Sequence, residues 1–156
     1  MNKWFTGSGE EMSFKEILDI IGDHTSHNGE ISVGTDSFLK KKECIFSTAI
    51  CLYGADNQKG GRYFVKRNKI KKSTYKTLVQ RITEEVQRSI ETGFKILEVH
   101  PIIDIELHLD VSEPNKNKKT SRFADMLVGY ATGAGFECKI KPHAFAAASV
   151  ADKHSK

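Results

Sequence analysis

Ile31-Ser32-Val33-Gly34-Thr35-Asp36-Ser37 is the stretch on which the reading of this chain turns. Ile31, Val33 and Thr35 are β-branched and recur at period two, so they suit one face of a strand. Ser32, Gly34 and Asp36 point the other way, and that face is nearly bare, so another element or a ligand can approach the backbone closely. A carboxylate on a buried strand is unfavourable unless it is paired or metal-bound. Asp36 therefore either closes the strand at a turn or belongs to a site.

The 156 residues fit one domain, 1–156, with a sizeable core. Hydrophobic residues make up 38% and charged residues 28%, which suits a soluble globular protein. No apolar run approaches the ~20 residues that span a bilayer, and the N-terminus does not have the form of a signal peptide. Cys44, Cys51 and Cys138 are odd in number and include no CxxC pair. They fit a reducing, cytoplasmic setting and argue against a disulfide framework or a structural zinc site. The net charge of +4 is mild, but eleven of the 24 basic residues fall in three short segments. These are Lys40–Lys42, the group Lys66, Arg67, Lys69, Lys71 and Lys72, and the group Lys116, Lys118 and Lys119. All three read as loops, and loops that meet in space would form a phosphate-binding track.

Working outward, residues 1–12 read as an irregular lead-in. Ser13 caps a helix, with Glu16 completing a capping box and Phe14, Ile17, Leu18 and Ile21 at helical spacing. Strands are expected at 31–36, 43–53 and 62–66, joined by short polar links, so an antiparallel meander is the simplest topology. Residues 74–92 form the clearest helix, with Tyr75, Leu78, Val79, Ile82, Val86 and Ile90 on one face, Ser73 or Thr74 as cap, and Gly93 at its end. Glu85 flanks the apolar face and Glu84 lies opposite it, so helical phase favours Glu85 as the inward acid. Residues 104–110 alternate strictly, with Ile105, Leu107 and Leu109 against Asp104, Glu106, His108 and Asp110. A helix over 120–133, with Phe123, Met126, Leu127, Tyr130 and Ala131 on one face, a strand over 136–140, and an Ala-rich helix from 144 complete the chain. Pro142 breaks the last strand. Strand-helix-strand passages imply parallel pairing for the later strands.

Four acids stand out by position: Asp36 ends the first strand, Glu85 flanks the long helix, Asp110 ends the fourth strand and Asp152 lies in the last helix. Two bare carboxylates about 4 Å apart repel by roughly 4 kcal/mol at an effective dielectric of ~20. Four together require protonation or divalent metal, and hard oxygen ligands favour Mg²⁺ or Mn²⁺. Two such ions can activate a water and stabilise the leaving oxygen in phosphodiester cleavage.

The order βββ-α-β-α-β-α with acids at those places resembles the ribonuclease H-like superfamily, and more closely the YkuK-type family of bacterial ribonuclease H-like proteins. The resemblance is carried by Val33-Gly34-Thr35-Asp36-Ser37, Leu107-His108-Leu109-Asp110, Gly135-Phe136 with Lys139-Ile140-Lys141-Pro142, and Ala146-Ala147 with Val150-Ala151-Asp152-Lys153. It covers about residues 3–156. It implies an α/β fold with a mixed five-stranded sheet, order 3-2-1-4-5, strand 2 antiparallel, flanked by helices. It also implies that Asp36, Glu85, Asp110 and Asp152 are catalytic, metal-binding acids holding two Mg²⁺ or Mn²⁺ ions. For His143 it suggests the mobile histidine that some ribonucleases H use in product release; an ordinary loop histidine is the alternative. Ser37 either bonds near the metal or caps a turn, and His108 either supports Asp110 or is a satisfied core histidine.

The expected activity is a two-metal nuclease that hydrolyses RNA, RNA/DNA hybrid or structured DNA by in-line attack with a 3′-hydroxyl leaving oxygen. Lys69, Lys71, Lys72, Lys116, Lys118 and Lys119 would contact the nucleic-acid backbone. Neither a basic helical insertion nor an aromatic handle for a hybrid duplex is present before residue 136. The alternative is a non-catalytic nucleic-acid-binding module on the same fold, in which the acids do not gather. An ATP-binding fragment, suggested by Gly34-Thr35-Asp36-Ser37, lacks the second lobe of that architecture and any GxxxxGK[ST] loop.

Overall fold

The first strands of the chain are short. β1 (Trp4–Thr6) and β2 (Glu11–Met12) pair with each other before α1 (Phe14–Ser26) begins. The structure, a computed structural model, describes residues 3–57, 61–112, 123–144 and 150–151. Three long strands follow α1: β3 (Glu30–Lys40), β4 (Glu43–Tyr53) and β5 (Gly61–Lys71). The chain then forms α2 (Leu78–Val99), β6 (Glu106–Ser112), α3 (Ala124–Gly133) and β7 (Glu137–Lys141). Val150 and Ala151 are again helical.

The sheet order is β2-β1-β5-β4-β3-β6-β7. β4 runs antiparallel to β3 and β5, while β3, β6 and β7 are parallel. Without its two N-terminal strands this is the expected 3-2-1-4-5 order. The sheet has seven strands rather than five because residues 4–6 and 11–12, within the expected irregular lead-in, are strands. Trp4, Phe5 and Thr6 pair with Lys66, Val65 and Phe64, covering part of an edge that would otherwise present unpaired amides. Trp4 is buried, stacks on Phe14 at 5.8 Å, and carries the Lys66 ammonium 5.3 Å over its ring. Strands of three and two residues are too short to display a period.

One core lies between the helices and the sheet, with Ile17, Ile21, Val33, Ile82, Val86 and Leu107 among its buried members. The opposite face carries a smaller cluster of Ala49, Cys51, Val65 and Ala151. Ser13 caps α1 as expected, its hydroxyl accepting from the Glu16 N–H. α2 begins later than expected, because Thr77 is its cap, in a capping box with Gln80. α3 buries Ala124, Leu127 and Ala131, and leaves Met126 and Tyr130 exposed, so its inner face is turned from the expected one.

α2 also does not stop at Gly93 but continues to Val99. Gly93 is a contact residue: a Cβ built there would lie 2.7 Å from the Phe136 ring. The glycine lets α2 press onto the start of β7. Gly93→Ala is expected to destabilise the fold by about 1–3 kcal/mol through overpacking, despite alanine's higher helix propensity. Urea denaturation checks this; unchanged or increased stability would contradict the packing role.

Candidate metal centre

β3 and β6 pair in parallel at Ser32↔Glu106, Val33↔Leu107 and Gly34↔His108. Two residues beyond the last pair come Asp36 and Asp110, at the carboxyl ends of neighbouring parallel strands. Such ends are where open α/β sheets place ligands. α2 crosses the other face of β3 and is tied to it by polar contacts. The Thr35 hydroxyl lies 2.8 Å from that of Ser89 and 3.1 Å from that of Thr48. Ser37 has the parity of Thr35, and its hydroxyl donates to Glu85 Oε2 at 2.5 Å. α2 thereby delivers Glu85 to the strand ends. One carboxylate oxygen from each of Asp36, Glu85 and Asp110 lies within 4.8 Å of the others. Asp36 and Glu85 are buried, at 5% and 6% exposure, and Asp110 is half-buried. Glu84 turns away, bound to Arg88 at 2.8 Å.

Three acids this close repel, and two features of the chain offset the repulsion. Burial pushes the Glu85 carboxyl up to about 8; the Ser37 hydrogen bond opposes this, the charge of Asp110 reinforces it, and Arg81 opposes it. Without a cation Glu85 therefore keeps its proton at neutral pH. Lys141 supplies the second offset, its Nζ standing 2.5 Å from Asp110 Oδ1. The donor set is all carboxylate oxygen, which fits a hard divalent cation such as Mg²⁺ or Mn²⁺ and not a thiol- or imidazole-seeking metal.

A profile of the Ribonuclease H-like family matches residues 12–156. The chain belongs to the ribonuclease H-like family. It is similar to a Bacillus subtilis (strain 168) protein with the name "Uncharacterized protein YkuK", at 26% identity over 169 residues, covering 96% of this chain and 94% of that one. No solved structure matches the chain. The mixed sheet and the acid cluster at its strand ends are consistent with the ribonuclease H-like family.

The other residues singled out in this ribonuclease H-like chain are placed differently from one another. Asp152, Lys116, Lys118 and Lys119 lie outside the described residues. Ala151, next to Asp152, is buried on the sheet face that Asp36 shares with Ala49 and Cys51. Lys69 and Lys71 are not in a loop but on β5, and Lys72 opens the short 3₁₀ turn Lys72–Thr74. Each of the charged side chains Lys69 and Lys71 occupies an exposed strand position, so composition alone disguised the strand. His143 is exposed in the turn after β7 and is not among the residues gathered within 4.8 Å. His108 is buried, with Nε2 2.7 Å from Glu106 Oε1, and burial lowers its pKa. Its place is that of a core histidine satisfied by Glu106.

Lys141 was not among the expected site residues. Its signal lies in the register: β6 presents Glu106 and Asp110 on the same face, and β7 presents Lys139 and Lys141 beside them. Lys139 Nζ is 3.4 Å from Glu106 Oε2, and Lys141 reaches Asp110. The complementarity appears only once β6 and β7 are known to be neighbours.

The shifted carboxyl of Glu85 has a thermodynamic consequence. The unfolded chain releases this proton near the ordinary value of 4.5, the folded metal-free chain near 8. Between those values the folded state binds the extra proton, so the stability contributed by Glu85 is full below about 4.5, falls as pH rises, and is lost above about 8. Glu85→Gln is expected to flatten this fall in EDTA and to be more stable than the parent chain at pH 8.5. Denaturation at pH 5.5 and 8.5 measures it, and an unchanged pH slope would contradict a buried, proton-retaining Glu85.

Proposed function

We propose that this chain is a divalent-metal-dependent nuclease, with Mg²⁺ or Mn²⁺ held by Asp36, Glu85 and Asp110 and by Asp152 as a fourth acid. The observation that carries this reading is the convergence of three carboxylate oxygens within 4.8 Å at the ends of two parallel strands. With Asp152 as the fourth acid, the cluster would supply carboxylate oxygens for divalent ions of the kind that assist phosphodiester cleavage. Gathered acids support the catalytic reading over a binding-only module, for which there is no reason to collect buried carboxylates against their own repulsion.

When bound, the ions would supply positive charge to the phosphate and lower the pKa of the attacking water. The chain's own groups do the rest. Ser37 holds Glu85 in place through its hydrogen bond. Glu85 would have to give up its proton to serve as a ligand, so metal binding would be coupled to proton release. Lys141, more than half exposed and bound to Asp110, has the reach to turn its ammonium toward a phosphate oxygen. Hydrolysis adds water across a phosphodiester bond: oxygen attacks phosphorus in line, the bond to the 3′-oxygen breaks, and a 3′-hydroxyl and a 5′-phosphate result.

The substrate is nucleic acid, RNA, RNA/DNA hybrid or structured DNA, contacted through its backbone by Lys69, Lys71 and Lys72 and by the three lysines after Asp110. We place the protein in the cytoplasm. Two of its three free thiols, Cys44 and Cys51, are buried, and burial pushes Cys51 up to about 12, as suits unoxidised cysteines. No helix among the described residues is long and apolar enough to cross a membrane.

A panel of RNA, hybrid, duplex and branched DNA with Mg²⁺ and Mn²⁺ tests this reading, with Asp36→Asn beside the parent. The parent is expected to cut at least one substrate, and Asp36→Asn to lose activity at least about a hundredfold while keeping the parent's circular dichroism. No cleavage of any substrate by the parent would sink the proposal.

A further inference from the structure

The register of the meander places a row of cations beside the acid cluster. β3–β4 pairing sets Asp36 against Ser47, Phe38 against Ile45 and Lys40 against Glu43. β4–β5 pairing sets Ser47 against Arg67, Ile45 against Lys69 and Glu43 against Lys71. Paired residues share a face, so Arg67, Lys69 and Lys71 stand on the face of Asp36, and all three are exposed. Arg67 is level with Asp36 two strands away, at roughly 10 Å for strand spacings of ~4.8 Å. Successive rungs rise by about 7 Å, twice the advance per residue.

The row leads into a concavity. The Lys72 N–H donates to the Lys42 carbonyl at 2.8 Å, locking the end of β5 to the β3–β4 hairpin. Lys41, Lys42, Lys71, Lys72 and Lys76, with Ser73 and Tyr75, line a groove of about 570 Å³. Tyr75 is packed edge-on against Phe46 at 5.2 Å, so its ring is engaged by the protein. Among the described residues the pairing with β1 ends at Lys66, so 67–71 form a sheet edge, and lysines on an edge also discourage aggregation. Five lysines on one groove are a local concentration of positive charge beyond what edge protection uses, and it fits an anionic ligand. In the other direction along the sheet, Ala49, Cys51 and Val65 pack with Ala151, whereas the Arg67–Lys71 side of the same face is exposed.

Building on the nuclease reading, we propose that Arg67, Lys69, Lys71 and the Lys41–Lys42–Lys72–Lys76 groove form a phosphate track for the strand leaving the cut site. The ligand is a polynucleotide backbone engaged over several successive phosphates, not a mononucleotide or dinucleotide. From Asp36 to Lys71 is roughly 17 Å, and a duplex advances 3.4 Å per phosphate along its axis, so the track reaches about five nucleotides from the scissile bond. Contacts are to phosphate, so binding is sequence-tolerant and steeply salt-dependent.

The test is binding without metal. Fluorescence anisotropy in EDTA measures the affinity of the full chain for labelled single-stranded and duplex oligonucleotides of 4, 8, 12 and 16 nucleotides over a range of KCl. Duplex or single-stranded 12-mers are expected to bind at least about tenfold more tightly than 4-mers. The variant Lys69→Gln/Lys71→Gln/Lys76→Gln, checked for folding by its thermal melt, is expected to lower the slope of log K against log salt by about 2–3, near 0.7–0.9 per lysine. An unchanged slope, no dependence on length, no binding by the parent, or equally tight binding of polyglutamate would overturn the track. Hydrolysis of bis(p-nitrophenyl) phosphate by the parent with Mn²⁺ reports the acids separately. Ester hydrolysis without track binding overturns the track alone, and track binding without hydrolysis of any substrate overturns the nuclease reading alone.

Discussion

Holding Asp36, Glu85 and Asp110 together against their own charge is the constraint on which the rest of the structure depends. Carboxylates at this separation repel by several kcal/mol at the effective dielectric of a protein. The chain offsets that cost locally in two ways. Glu85 is buried, accepts from the Ser37 hydroxyl and keeps its proton, and Lys141 lies against Asp110. In the proposed metal-bound state Glu85 would give up its proton and Asp110 would be shared between Lys141 and the cation.

The scaffold follows from delivering those three acids. Parallel β3 and β6 bring two strand ends side by side, and α2 must cross them closely enough to present Glu85. The Thr35–Ser89 and Ser37–Glu85 contacts fix the height of α2 on β3, and Gly93 lets the same helix reach Phe136 farther along. The apolar residues of α2 and β3 supply the stability; the hydroxyls set the alignment. Antiparallel β4 and β5 then widen the sheet on the side opposite β6, and their outward residues form the basic flank of the site.

Much of this was legible in the sequence because periodicity survives in long elements. The alternation at Ile31, Val33 and Thr35, the alternation from Ile105 to Leu109, and the helical face from Leu78 to Ile90 reveal the strand and helix order. The phase of α2 also separates Glu85, turned in, from Glu84, bound to Arg88. The rest was hidden for identifiable reasons. β1 and β2 are shorter than any period. Lys69 and Lys71 read as loop residues because an outward strand position accepts any charge. Gly93 read as a helix end, while its actual role depends on Phe136, 43 positions away in a different element. Lys141 could not be matched to Asp110 before β6 and β7 were known to be neighbours.

The sheet register thus sets Asp36 on the same face as Arg67, Lys69 and Lys71, the flank that the proposed phosphodiester substrate would follow. The central claim is that the gathered acids hold a divalent cation. Anomalous diffraction from a crystal soaked in Mn²⁺ at pH 8 tests it most directly. The account predicts anomalous density at coordination distance from carboxylate oxygens of Asp36, Glu85 and Asp110. Strong soaking without density there, or with those oxygens spread beyond the reach of a shared ion, would contradict it.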